Sequence, residues 1–151
     1  MDDRTRLASQ SWEDEYVHLL EVATKLMHAG DHKKAEEGMR KAIALDPDDA
    51  RAYLHLAGVY DRADDDASAS KAYAEAACRY AEATPMWVTA VTGCVDRVIR
   101  AGLDTRTAPP EWFPVWLRTQ DQLLACAEKC VSCSERAGTA AESLAFALMT
   151  R

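Results

Sequence analysis

Apolar residues along this chain recur in two alternating sets, and the sets themselves repeat. Leu19, Val22, Ala23 and Leu26 stand at i, i+3, i+4 and i+7, the spacing of one helix face. Ala35, Met39 and Ala42 follow at i, i+4 and i+7, a second helical face. A shift of 34 residues lays Tyr53, Leu56, Ala57 and Tyr60 on the first set, and Ala69, Tyr73 and Ala76 on the second. A further shift carries Tyr53, Leu56 and Ala57 to Trp87, Ala90 and Val91. Each unit therefore predicts a helix, a break and another helix.

The breaks carry their own signals. Gly30 stands where a left-handed residue ends the first helix, and Asp31 is placed to cap the next. Pro47 follows the second helix, which it cannot continue. Asp64 to Asp66 mark the next turn without a glycine, and Thr84-Pro85 reads as an N-cap and first helical residue. Near the front, Ser11 with Asp14 three residues on resembles a capping box before Tyr16.

Small residues at Ala23, Ala57, Ala35, Ala42, Ala69 and Ala76 let paired helices approach closely. Leu26, Met39, Tyr60 and Tyr73, a turn away, fill the space between pairs. Such units cannot bury their faces alone and stack into a superhelix. The pattern resembles the tetratricopeptide repeat: Tyr53, Leu56, Ala57, Tyr60, Ala69, Tyr73 and Ala76 match its signature, with Ala57 in place of the usual Gly. Gly30, Ala35, Ala42 and Pro47 match in the first unit, whereas the third matches at Trp87 and then drifts, with Cys94 where Tyr is expected. The resemblance spans roughly residues 16–101. It implies an all-α, antiparallel helix-pair solenoid of about seven helices in a single domain. Residues 1–11 are expected to form a flexible N-terminus, 12–47 the first repeat, 48–83 the second, 84–136 a divergent third, and 139–151 a capping helix.

The last third leaves the pattern. Leu103 to Ala108 read as a loop, and Pro109-Pro110-Glu111 opens a helix that runs to about Arg136. Gly138 stops it, and Thr139 to Glu142 form a capping box for a last helix carrying Leu144, Ala147 and Leu148. Trp112-Phe113-Pro114-Val115-Trp116 is the densest aromatic cluster. It reads as packing against the third repeat, with an interface anchor as the alternative.

Composition agrees with helices: 28 of the 151 residues are Ala, against 11 Val plus Ile. The net charge of −7 argues against a protein built to neutralise phosphates, so no nucleic-acid partner is expected. No apolar run approaches the roughly 20 residues that span a bilayer, and no signal peptide opens the chain, so a cytoplasmic protein without membrane insertion is expected. Residues 46–66 hold seven acids and two bases, which supplies −5 of the −7. Asp46 to Asp49 and Asp64 to Asp66 in this stretch read as helix caps, with an acidic docking site for a basic partner as the alternative.

Candidate chemistry centres on cysteine. Cys126, Cys130 and Cys133 stand at the C-x-x-x-C-x-x-C spacing similar to the cluster-binding loop of radical S-adenosylmethionine enzymes. That family places its cysteines after a strand of a barrel, and no strand pattern precedes them here. The same spacing is one helical face, where free Cys behaves as a small core hydrophobe. The odd total of five cysteines, Cys78 and Cys94 included, fits a reducing compartment. His28 and His32 straddle Gly30, so their rings need not face each other. No Walker loop, H-E-x-x-H or nucleophile turn is present, and no catalytic residue, metal or cofactor is expected.

The resembled family lines a concave groove with the first helix of each repeat. Carried over by position, that groove comprises Val17, Leu20, Thr24 and Met27, then Arg51, Leu54, His55, Gly58 and Asp61, then Pro85, Val88, Thr92 and Val95. The family's chaperone-binding members hold a C-terminal carboxylate with Lys, Asn and Arg; Leu20, Thr24, His55 and Thr89 occupy comparable places here, which does not support such a clamp. The expected function is a non-catalytic adaptor, scaffold or chaperone-like module that takes a peptide or helix of a protein partner, with homo-oligomerisation possible. The alternatives are a metal- or redox-active protein using Cys126, Cys130 and Cys133, and a groove filled by the chain's own C-terminal helix.

Overall fold

The computed structural model describes residues 3–82 and 84–102, followed by Glu111, Trp112, Pro114, Gln122, Ala125, Cys126, Glu128 and Lys129. Five helices make up the continuous part: α1 (Asp3–His28), α2 (His32–Leu45), α3 (Ala50–Arg62), α4 (Asp66–Arg79) and α5 (Pro85–Arg100). No strand occurs among the described residues, and the fold is an all-α helical repeat. Successive helices pack on one another, α1 on α2, α2 on α3, α3 on α4 and α4 on α5.

Local chemistry sets the turns. Gly30 takes φ +88°, and the Asp31 amide reaches back to the Leu26 carbonyl at 3.0 Å, which closes the end of α1. Asp31 then accepts from the Lys34 amide and starts α2. The second unit repeats this 34 residues later with different atoms. Asp64 takes φ +57°, the Asp65 amide reaches the Tyr60 carbonyl at 3.0 Å, and the Asp65 side chain caps α4 through the Ser68 amide. Asp49 caps α3 through the Arg51 amide, and Thr84 caps α5 with Pro85 in its first turn. Asp49 and Asp65 thus act as caps.

α1 begins at Asp3, eight residues before the expected start at Ser11. Nothing between Asp3 and Ser11 breaks a helix, so the Ser11–Asp14 pair lies inside α1 and caps nothing. Val22 also departs from the expected stripe: it is 41% exposed, and the buried stripe of α1 is Tyr16, Leu20, Ala23 and Met27. This helix must cover both α2 and α3, which rotates its apolar face.

The small residues sit where helices meet. Ala23, Ala35, Ala42, Ala57, Ala69 and Ala76 are all fully buried. A Cβ on Gly38 would stand 2.9 Å from the Ala23 methyl, so α1 and α2 come nearly into backbone contact there. A Cβ on Gly93 would stand 2.6 Å from the Tyr73 ring, fixing the approach of α5 to α4.

Two cores occur among the described residues. One gathers Tyr16, Ala23, Met39, Leu56 and their neighbours from α1 to α3, with Ala72 of α4. The other gathers Trp87, Val91, Cys94 and Val98 of α5 with alanines of α4 and with Cys126. Tyr73 packs against both. α5 is buried nearly all round, and Trp112 and Cys126 belong to what covers it. Gln122, Ala125, Cys126, Glu128 and Lys129 are helical, within the span expected to form the long C-terminal helix. Lys129 pairs with Glu82 beside the α4–α5 turn. Residues 139–151 of the expected capping helix lie outside the described residues.

Candidate functional site

Two surfaces of α3 are available to ligands, and its helical period separates them. Arg51, His55 and Gly58 share one side, whereas Tyr53, Leu56 and Tyr60 lie about half a turn round.

The first side adjoins α1. The Arg51 guanidinium lies 4.9 Å from the centre of the Tyr16 ring and is clamped by Asp49, with Nη2 to Oδ2 at 2.7 Å. The buried Tyr16 hydroxyl accepts the Ala52 amide at 3.1 Å, so α1 satisfies an orphan donor of α3. Burial pushes the Tyr16 phenol up to about 12. The Arg51 side chain beside Asp49 holds that carboxyl below its usual range. Gly58 faces the Met27 sulfur, 3.7 Å from where a Cβ would lie. His55 is half-buried; desolvation, with Arg51 nearby, lowers its pKa and favours the neutral ring.

The groove residues carried over by repeat position divide accordingly. Val17, Thr24, Arg51, His55 and Gly58 keep exposed surface on α1 and α3. Leu20, Met27, Val88 and Val95 are 7%, 8%, 1% and 3% exposed and serve as core. Leu54 is half-buried and packs against the α4–α5 core. Thr92 is half-buried, with a hydroxyl that finds no partner among the described residues, and Pro85 is exposed.

The Asp61 carboxylate is already engaged. It accepts the Tyr73 hydroxyl at 2.7 Å and two Arg97 donors at 2.9 and 3.0 Å, which joins α3, α4 and α5. Asp96 takes a further Arg97 donor at 2.6 Å, and the Arg97 guanidinium lies over the Tyr73 ring. Repeat spacing alone missed Tyr73 and Arg97 as partners; their signal was a polar pair at positions that are apolar one unit earlier.

The second side is a cleft of about 630 Å³ between α2 and α4, with α3 as its floor. Leu56, Ala72 and Ile43 give it apolar walls. Arg79 closes one end: its guanidinium covers the Tyr53 ring at 4.1 Å and bonds to the Pro47 carbonyl and to Glu75. Arg40 stands at the other end, shared between Glu36 and the Tyr60 hydroxyl. No position in the expected groove borders this cleft.

Among the cysteines, Cys126 is 4% exposed within the α5 core, which fits the helical-face reading at that position; Cys130 and Cys133 lie outside the described residues. Burial pushes the Cys94 thiol up to about 12, and Ser70 bonds to its sulfur and carbonyl, so it is an inert core thiol. Trp112 packs against the same core, as expected of the aromatic cluster, whereas Phe113, Val115 and Trp116 lie outside the described residues. No cluster of three metal-ligating side chains occurs among the described residues.

These helix pairs, their 34-residue register and the alanine seams define a class of helical-repeat protein. Residues 26–87 match the tetratricopeptide repeat family, so this stretch carries tetratricopeptide repeats. Its fold is similar to that of the type III secretion translocator chaperone SycD of Yersinia enterocolitica, with a TM-score of 0.55 at 14% identity over 97% of this chain and 94% of that one. No curated protein matches the sequence. No described helix is long and apolar enough to cross a membrane.

Proposed function

We propose that this protein is a non-catalytic, chaperone-like module of the cytoplasm that holds a peptide or helix of a protein partner along the α1–α3 side. The observation that carries this reading is the strip of Val17, Thr24, Arg51, His55 and Gly58, which keeps exposed surface on two neighbouring helices. Val17 and Thr24 recur at helical spacing on α1 and suit an apolar or small-residue partner face. Arg51 is already neutralised by Asp49, so the strip asks for shape more than charge. The fold it shares with a translocator chaperone supports the same reading. Leu54 belongs to the core and is a poor probe of this face.

Site-specific photocrosslinking tests the proposal. A photoreactive phenylalanine at Thr24 or His55, expressed in the native host, should give one discrete protein adduct, and the same group at exposed Lys33 of α2 should give none. Thr24→Arg should abolish the adduct formed from position His55 while leaving the melting temperature unchanged. Equal adducts from all three positions, or none from any, would overturn the assignment.

A further inference from the structure

The α2–α4 cleft lies on the opposite side of α3 from that strip, and its charge differs from the rest of the molecule. Three of its lining residues are cations, Arg40, Lys71 and Arg79, against one anion, Glu75, in a chain of net charge −7. Arg79 is spent on Glu75 and Pro47. Arg40 is paired with Glu36 at 3.0 Å, but its side chain is 60% exposed and the bonds to Glu36 and Tyr60 use only Nε and Nη2, which leaves Nη1 without a partner among the described residues. Lys71 is exposed and has no ion pair among the described residues. Ser68 adds a hydroxyl donor at the same wall.

An apolar floor with exposed cationic donors above it recognises a specific chemistry. We infer that the cleft docks an acidic segment of a protein partner, with an apolar side chain seated between Leu56 and Ala72 and carboxylates reaching Lys71 and Arg40. The volume suits one or two side chains and falls within the roughly 300–1,000 Å³ usual for ligand clefts. Arg40 already lies against Tyr60 and Glu36, so its guanidinium is held in place for a carboxylate. A basic segment meets Lys71 there and finds Glu75 already taken by Arg79, so it is rejected. The inference stands apart from the α1–α3 reading, because no residue is shared between the two surfaces.

The probe is an immobilised synthetic peptide array in which Glu and Leu positions are permuted, with counterparts carrying Gln or Lys for Glu. A subset of the Glu–Leu peptides should bind, and solution anisotropy of those hits should weaken at least about tenfold when Gln replaces Glu. Lys71→Glu should abolish binding; as an exposed substitution it should leave the melting curve unchanged, and Arg40→Gln should weaken binding without abolishing it. Thr24→Arg, on the other strip, should change nothing, so failure of one surface is told apart from failure of the other. The inference falls if no acidic peptide binds, if the Gln counterparts bind equally, or if Lys71→Glu binds as before. It also falls if sedimentation shows self-association that Lys71→Glu abolishes, because a second copy would then be the occupant.

Discussion

The first and second units solve the same packing problem with opposite chemistry. Met27 and Met39 of the first unit correspond, 34 residues on, to Asp61 and Tyr73 of the second. Met27 and Met39 are buried apolar residues, and Met27 meets α3 at Gly58 with nothing to orient it. Asp61 and Tyr73 form a hydrogen bond that Arg97 of α5 completes. A methionine contact tolerates sliding, because an unbranched thioether adapts to its neighbours. A carboxylate held by a phenol and a two-donor guanidinium does not. At its Met27 end the α1–α3 seam is therefore built to adapt, while the Tyr16–Ala52 bond pins its other end, and the α3–α5 seam holds one register. It fits this division that the strip proposed to receive a partner lies along the adaptable seam.

The largest expected effect comes from forcing the rigid seam. Gly93→Val drives a side chain into the Tyr73 ring and should cost about 3 kcal/mol in chemical denaturation. A cost below about 1 kcal/mol would mean that Tyr73 has somewhere else to go. Asp61→Ala removes the acceptor of the Tyr73 hydroxyl and of two donors of the 22% exposed Arg97, which keeps Asp96, and should cost about 2 kcal/mol after allowance for that exposure. The Asp61→Ala and Arg97→Ala double-mutant cycle should show clear coupling, whereas Met27→Leu on the adaptable seam should cost less than about 1 kcal/mol.

Tyr16→Phe should cost about 1 kcal/mol by orphaning the Ala52 amide. It also carries a pH signature. The Tyr16 phenol rises from 10.0 to about 12 on folding, so its protonated form favours the native state. That contribution is intact below pH 10 and declines as pH climbs toward 12; Tyr16→Phe should flatten this part of the alkaline stability curve. The smallest effect is a pair of exchanges at equivalent turns. Asp64→Gly should gain a few tenths of a kcal/mol and Gly30→Asp should lose a similar amount, because both positions carry positive φ.

These outcomes also separate what was legible in the sequence from what was not. Turns were legible because their causes are local: Asp31, Asp49 and Thr84 each bond to an amide two or three residues away. The alanine seams were legible because the repeat places the same small residue at the same contact in each unit. The candidate groove was only half legible. Transfer by repeat position treats every first helix alike, but α5 has Trp112 and Cys126 over it, which turns Val88 and Val95 into core. Leu20 and Met27 went the same way because α1 must seal two neighbours. The Asp61–Tyr73–Arg97 tie was hidden for a different reason: its members come from three helices, and Arg97 has no acidic or aromatic counterpart one unit earlier. The cleft between α2 and α4 was hidden too, since its cations are surface residues of two helices whose distance apart only the fold sets.

Tyr73 belongs to both cores, and this bears on how the molecule comes apart. Helical arrays usually fray unit by unit from an end, each neighbour contributing an independent increment of stability. Here the ring that closes the α5 core also seals the α1–α3 core and anchors its hydroxyl on α3. Loss of α5 bares the face of that ring that met it and takes Arg97 from Asp61, so α3 and α4 should open together with it in one step. Native-state amide exchange should show α3, α4 and α5 with a single opening free energy, with the first turns of α1 exchanging ahead of them.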